Sequence, residues 1–420
     1  MNLSAFGEKF SGGAGILSLM DDLGNALAQG GMIMMGGGNP GHIPEVQALM
    51  RERLLELAAD DRELSRLIGI YDPPQGKREF CRAMAAMLRT THGWPLTEEN
   101  ICLTNGSQSA FFLLFNLLAG PCADGRVRRI LLPMAPEYIG YADLGLSEPF
   151  FVSAQPRIEL MGEHLFKYRV DFDRLTITDD IAALCVSRPT NPTGNVLTDE
   201  EIRELSRLAA QHDIPLIIDS AYGLPFPGMI YTDVTPVWNE QMIVCMSLSK
   251  LGLPAVRTGI VIARREIVRL IAGANAVVNL ATSSFGPMLT GGLVASGEIN
   301  RISRDVIRPF YQRKMQLAMA CIDELFTGFP YRVHVPEGAM FLWLWFPGLP
   351  QTSLRLYERL KARGVVVVAG EYFFPGLEPG WPHMHECLRI TYSQDEEDVR
   401  AGLALIAEEV RAMFAHPEDA

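Results

Sequence analysis

The chain has 420 residues, 48% of them hydrophobic, and a formal net charge of −12. That length can bury a large core and is enough for two domains, while the acidic balance argues against a nucleic-acid or anionic-membrane surface. Seven scattered cysteines, an odd number with no Cys-x-x-Cys, predict reduced thiols and a cytoplasmic setting, and no apolar run reaches the length of a membrane span.

Taken in order, Gly12-Gly13, Gly30-Gly31 and Gly36 to Gly38 flank a short helix expected near Ile16 to Gln29. The triple glycine either lets backbone approach a ligand closely or belongs to a mobile arm. Helical spacing of Val46, Leu49, Met50, Leu54 and Leu57 predicts a helix over about 44–60 with a core-facing stripe. Tyr71 to Gly76 reads as a loop, followed by a helix that places Phe80, Met84, Met87 and Leu88 in the core. A strand, Ile101 to Thr104, ends at Asn105-Gly106-Ser107-Gln108, and an apolar helix continues from Ala110 to Leu118. Such a turn either aims free N–H groups at an anion or supplies a serine N-cap. Arg129 to Pro133 is a further strand, closing on Ala135-Pro-Glu137-Tyr138, whereas Phe150 to Asp173 carries no readable pattern.

Strands and helices alternate from there. Ala182 to Ser187 runs into Arg188-Pro-Thr-Asn191-Pro-Thr-Gly194; Thr198-Asp-Glu-Glu201 has the form of a capping box; Pro215 to Asp219 is followed three residues later by Tyr222; and Met242 to Val244 leads into Ser247, Ser249 and Lys250. This alternation predicts an α/β fold, a mostly parallel sheet sandwiched by helices. A long helix from about Ile302 to Leu325 should lead into a smaller α/β domain with strands at Arg332–Val335, Phe341–Trp345, Val365–Val368 and Cys387–Thr391.

Three strand ends thus carry Asn191, Asp219 and Lys250, at the edge where an open α/β sheet places its chemistry. Burial lowers the pKa of a lysine and frees its neutral amine to react with an aldehyde. Arg257, seven residues on, could bring planar donors to a phosphate. Serine, lysine and arginine together suggest a phosphorylated aldehyde, although a surface lysine after a strand has the same local pattern. Arg389, between Leu388 and Ile390, fits either a carboxylate ligand or a structural salt bridge. His383, His385 and Cys387 match no usual zinc set, and no metal is expected.

The ordered series Asn-Pro-Thr-Gly (191–194), Asp-x-x-Tyr (219–222) and Ser-x-Ser-Lys (247–250) with a following Arg257 resembles the class I/II aminotransferases of fold type I, which use pyridoxal 5′-phosphate. Matching features near Tyr71, Gly106 and Arg389 extend the resemblance over nearly the whole chain. It implies an N-terminal arm with part of the small domain (1–47), a large cofactor-binding domain (48–305) and a C-terminal small domain (306–420). Lys250 would hold the aldehyde and carry a proton, Asp219 would keep the ring nitrogen protonated, and Asn191 and Tyr222 would donate to the ring oxygen. Gly106, Ser107, Gln108, Ser247, Ser249 and Arg257 would hold the phosphate end, joined by Tyr71 from a neighbouring subunit. Tyr138 would stack on the ring, with Tyr141 as the alternative. Gly38, Asn191 and Arg389 would meet the substrate, with Arg389 on its α-carboxylate.

The resemblance further implies amino-acid and 2-oxo-acid substrates used in turn, and a homodimer with shared sites. The dicarboxylate-using relatives bind the side-chain carboxylate with a second arginine after the lysine; Ala274 to Leu289 contains neither arginine nor lysine. A small neutral amino acid such as valine or alanine, with pyruvate as acceptor, is therefore expected, and Tyr71 and Leu280 are candidate walls. A carbon–sulfur lyase or cyclopropane-forming synthase of the same fold would share Lys250, and a cofactor-binding regulator is the remaining rival.

Overall fold

The computed structural model describes residues 2–11, 24 and 31–417. The helix expected near Ile16 to Gln29 lies outside the described residues.

Its central sheet runs, from one edge to the other, Ile101–Thr104, Gly259–Ile262, Met242–Ser247, Leu216–Asp219, Ile181–Ser187, Val127–Leu132 and Gly120–Pro121, with Phe151–Ser153 pairing onto Val127–Leu132. The middle pairings are parallel, and Gly259–Ile262 enters antiparallel to both neighbours. Helices cover both faces, so every residue of Ile181–Ser187, Leu216–Asp219 and Met242–Ser247 is buried, and these strands read as near-continuous apolar runs. Register sets Ser187 beside Asp219 and Asp219 beside Cys245, so the polar strand ends emerge at one level.

A second sheet has the order Val368–Ala369, Cys387–Thr391, Phe341–Trp345, Arg332–His334, Leu165–Arg169 and Arg157–Met161. The last two strands form a hairpin from the stretch without a readable pattern. Nearly all of Arg157–Met161 faces solvent, which removes the apolar alternation by which such strands are recognised. The run Val365 to Val368 is split between two partners: Val365–Val366 pairs with Ile33–Met34, and Val368–Ala369 with Cys387–Thr391.

Helices appear at Pro44–Ala59, Arg78–His92, Ser107–Leu118 and Asp199–Gln211. In the last, the Thr198 hydroxyl accepts from Glu201 N–H and the Glu201 carboxylate from Thr198 N–H, the reciprocal cap its sequence encodes. Two expectations change. Val46 and Met50 are buried, but Leu54 is exposed, so only part of the predicted stripe faces the core. The helix expected from Ile302 is divided into Glu298–Ile302, a π-helical turn at Ser303–Ile307 and Arg308–Leu325. Pro309 has no N–H to give the preceding turn, a sufficient cause for the irregularity.

Candidate active site

The strand ends open into a cavity lined by Gly36, Gly38, Ser107, Gln108, Tyr138, Asn191, Asp219, Tyr222, Ser247, Ser249, Lys250, Arg257 and Arg389 among others. All but two of the anticipated site residues meet there. Gly106 lies just behind the lining, and Tyr71 stands 79% exposed on the chain's surface with Leu280, outside this cavity.

Lys250 follows the end of Met242–Ser247 in a short 3-10 turn. Its ammonium donates to Gly38 O at 2.6 Å and lies 5.3 Å from the centre of the Tyr222 ring. Burial, then the positive charges of Arg389 and Arg257, lower its pKa to about 8 against the opposing pull of Asp219. A surface lysine is thereby replaced by a half-buried amine that readily gives up its proton.

Opposite, Asp219 is held at both oxygens. Tyr141 O–H donates to Oδ2 at 2.7 Å and Ala221 N–H to Oδ1 at 2.9 Å. Burial raises its pKa to about 6 although both hydrogen bonds favour the anion. Tyr138 and Tyr222 are the aromatic residues of the described cavity wall; Tyr141 is fully buried outside the lining, with its hydroxyl committed to Asp219. The alternative ring-stacking place for Tyr141 is therefore excluded.

The other end is a cradle of donors. Gly106, at φ 88°, is the cap residue of helix Ser107–Leu118, and Ser107 occupies the first turn. The expected serine N-cap is thus a glycine cap, with no side chain hydrogen-bonded to the helix N–H groups. Only glycine suits this position: φ is left-handed, and a Cβ here would overlap the Arg257 guanidinium. Arg257 itself adopts φ 47°, unusual for a residue with a side chain, and donates to Pro254 O at 3.2 Å. Ser247 Oγ accepts from Ser249 N–H at 3.0 Å, and Gln108 donates to Gly140 O at 2.7 Å.

Arg389 reaches the cavity from the second sheet. Its guanidinium donates to Asn191 Oδ1 at 2.9 Å and Gly36 O at 2.5 Å, and lies 4.4 Å from the Phe341 ring centre and 5.2 Å from that of Phe373. These partners are neutral, Nε is buried without any, and burial pulls the pKa down to about 10. The structural salt-bridge reading of Arg389 therefore fails. A buried arginine facing a cavity with only dipoles for company is built to receive an anion.

Gly36 and Gly38 each give a carbonyl to one of these cations, and a Cβ at Gly36 would crowd Val367 O. The close approach seen at Gly36 is to the backbone of Val366 and Val367. His383 is buried against Tyr168 and lies 3.6 Å from Cys387 Sγ, while His385 pairs with Glu371 at 3.1 Å. Among the described residues no cluster of His, Cys, Asp and Glu could hold a metal.

Sequence reasoning missed Ile139, Pro189 and Ala221 on the wall and the hydroxyl support of Asp219. The apolar three have no chemical signature in sequence, and Tyr141 shares its motif with Tyr138.

A strand-end lysine, a buried aspartate and a glycine–arginine phosphate cradle define an enzyme that works through a bound phosphorylated aldehyde. The chain belongs to the aminotransferase class I and II family, whose model matches residues 46–406; enzymes of this family and fold depend on pyridoxal 5′-phosphate. It is 50% identical to valine–pyruvate aminotransferase of Escherichia coli K12, over 99% of both chains. A crystal structure of valine–pyruvate aminotransferase from Salmonella typhimurium LT2 is 48% identical, with a TM-score of 0.88 over 95% of this chain and 99% of that one. A crystal structure assigned only as an amino-acid aminotransferase, from Psychrobacter arcticum 273-4, is 44% identical and superposes with a TM-score of 0.96 over 99% of both chains. The fold is accordingly fold type I and the protein is a transaminase.

The residues present fit the cofactor. Arg257 and the N–H groups after Gly106 could hold a phosphate, Asp219 could supply a counter-charge to a protonated ring nitrogen, and Lys250 brings a low-pKa amine to the same cavity.

Proposed function

We propose that this transaminase moves the amino group of valine, or another small neutral amino acid, to pyruvate, giving 2-oxoisovalerate and alanine. One observation carries the reading: the described lining holds three cations, and each already has a task. Lys250 is for the aldehyde, Arg257 for the phosphate and Arg389 for the α-carboxylate, so none remains for a side-chain carboxylate. Ile139 and Tyr138 offer an apolar wall instead. The two valine–pyruvate aminotransferases that match nearly end to end support the same substrate pair, and the lyase and regulator readings have no comparable support.

Bound pyridoxal 5′-phosphate supplies an electron sink for the charge that develops at the substrate Cα. The chain does the rest. Arg389 fixes the α-carboxylate with two parallel donors and thereby aims the Cα hydrogen at Lys250. Lys250 Nζ, free of its own proton above about pH 8, takes that hydrogen as general base and later returns one as acid. Asp219 would keep the ring nitrogen protonated. Tyr222 and the Asn191 amide, whose oxygen is taken by Arg389, would donate to the ring oxygen. Tyr138 would stack on the ring, while Gly106, Ser107, Gln108, Ser247 and Ser249 would hold the phosphate end with Arg257. Gly38 lines the substrate side.

The same reading divides the chain into a large cofactor-binding domain (48–305) and a small one (1–47 with 306–420), the hairpin Arg157–Arg169 crossing to the second sheet. It also takes the protein to be a homodimer. Tyr71, Val277 (88% exposed), Val278 and Leu280 form an apolar face, tied together where Asn275 donates to Pro74 O and Ser284 to Asp72. A second copy would cover it and carry Tyr71 to the partner's phosphate. Seven free thiols fit a reducing cytoplasm. Incubation of the loaded protein with valine and pyruvate should form alanine; exchange confined to aspartate or glutamate would overturn the assignment.

A further inference from the structure

Glu137 is fully buried beside the site and has no part in the reaction derived above. Its Oε1 accepts from Ser187 N–H at 2.8 Å, and its own N–H donates to Phe373 O at 2.8 Å, tying it to the 3-10 turn that follows Val368–Ala369. Three oxygen-to-oxygen contacts then lead to Asp219. Glu137 Oε2 lies 2.5 Å from Ser187 Oγ, Ser187 Oγ 3.4 Å from the Tyr141 hydroxyl, and that hydroxyl 2.7 Å from Asp219 Oδ2.

Each contact needs one hydrogen, and the two hydroxyls supply two. With both acids ionised, Ser187 donates to Glu137 and Tyr141 to Asp219, leaving lone pairs facing each other in the middle. A third hydrogen, on one of the acids, fills the chain and fixes its direction. Placed on Asp219 it would cost that residue its charge; placed on Glu137 it makes every donor point toward Asp219. Surroundings favour the second. Glu137's hydrogen-bond partners are hydroxyls and amides, and burial and the Asp219 charge raise its pKa to about 8, whereas Asp219 reaches only about 6, held down by the hydrogen bonds from Tyr141 and Ala221 and then by Lys250.

We propose that Glu137 is a positioning residue, the protonated end of a one-way chain through Ser187 and Tyr141 that presents Asp219 to the cofactor ring as a pinned anion. This rests on Asp219 facing the ring nitrogen, as read above. A buried acid kept neutral has the shape and donor of its amide, which makes Glu137→Gln the informative replacement.

Infrared difference spectra between wild type and Glu137→Gln, taken on the full chain with and without pyridoxal 5′-phosphate at pH 7, should contain a protonated-carboxyl C=O band that Asp219→Asn retains. Its absence in both forms overturns the proposal. In the holoenzyme, Glu137→Gln should keep at least about tenfold more kcat than Glu137→Leu, with KM for the amino acid little changed; equal loss in the two also overturns it. Should Glu137→Leu not fold, Ser187→Ala cuts the same chain and should lower kcat while leaving the infrared band in place, and an unchanged kcat there contradicts the chain. A wild type that binds no cofactor would instead overturn the reading of the site, and the infrared measurement without cofactor would still decide the state of Glu137.

Discussion

Two cations of the cavity, one half-buried and one buried, solve the same problem differently. Lys250 and Arg389 come from different sheets, have no salt-bridged acid among the described residues and lean on neighbouring glycine carbonyls, Gly38 O for one and Gly36 O for the other. Burial weakens both, but an amine brought to about 8 exchanges its proton near neutrality, whereas a guanidinium brought to about 10 stays charged. The first is therefore the group that can do chemistry and the second the group that can only hold, a division of labour set by side-chain type within one electrostatic setting.

The comparison breaks most visibly at the lysine. Lys250→Ala should lower kcat by at least about 10³-fold, near the upper range for general acid–base groups, with circular dichroism unchanged; steady-state rates check it. Arg389→Lys keeps the charge and loses the fork. It should cost roughly 2 kcal/mol, or about 30-fold in kcat/KM, chiefly through KM for the amino acid. A kcat-only effect would mean that Arg389 does more than hold.

Gly106→Ala acts on neither cation but on the cradle beyond them. The left-handed φ and the overlap with Arg257 should weaken cofactor binding by about tenfold, consistent with roughly 1–3 kcal/mol of strain, as read by titration of the chain with pyridoxal 5′-phosphate. The smallest effect sharpens the comparison most. Cofactor attachment should speed up as pH rises through about 8, where Lys250 loses its proton. Because Arg389 is one of the charges lowering that value, Arg389→Leu should move the midpoint upward; a downward shift or none would uncouple the two residues.

Much of this arrangement is legible in the chain itself, because parallel strands buried on both faces are apolar throughout and their first polar residues mark the sheet edge. Asn191, Asp219 and Lys250 stand out for that reason. Arg389 was also visible as a charge inside an apolar strand, but whether an internal acid neutralised it depended on tertiary contacts. Glu137 gave no signal, and Tyr141 only that of an alternative stacking ring: their importance lies in facing Ser187 and Asp219, which are 50 and 78 residues away in sequence. The exposed Leu54 misleads for a related reason, since helical period does not say whether a surface meets its own core.

The central claim is that one amine, at position 250, carries the cofactor. Borohydride reduction of the loaded protein followed by peptide mass spectrometry tests it directly: the account predicts one pyridoxyl-phosphate adduct, on the peptide containing Lys250. An adduct on any other lysine, or none in a protein that transaminates, would contradict it.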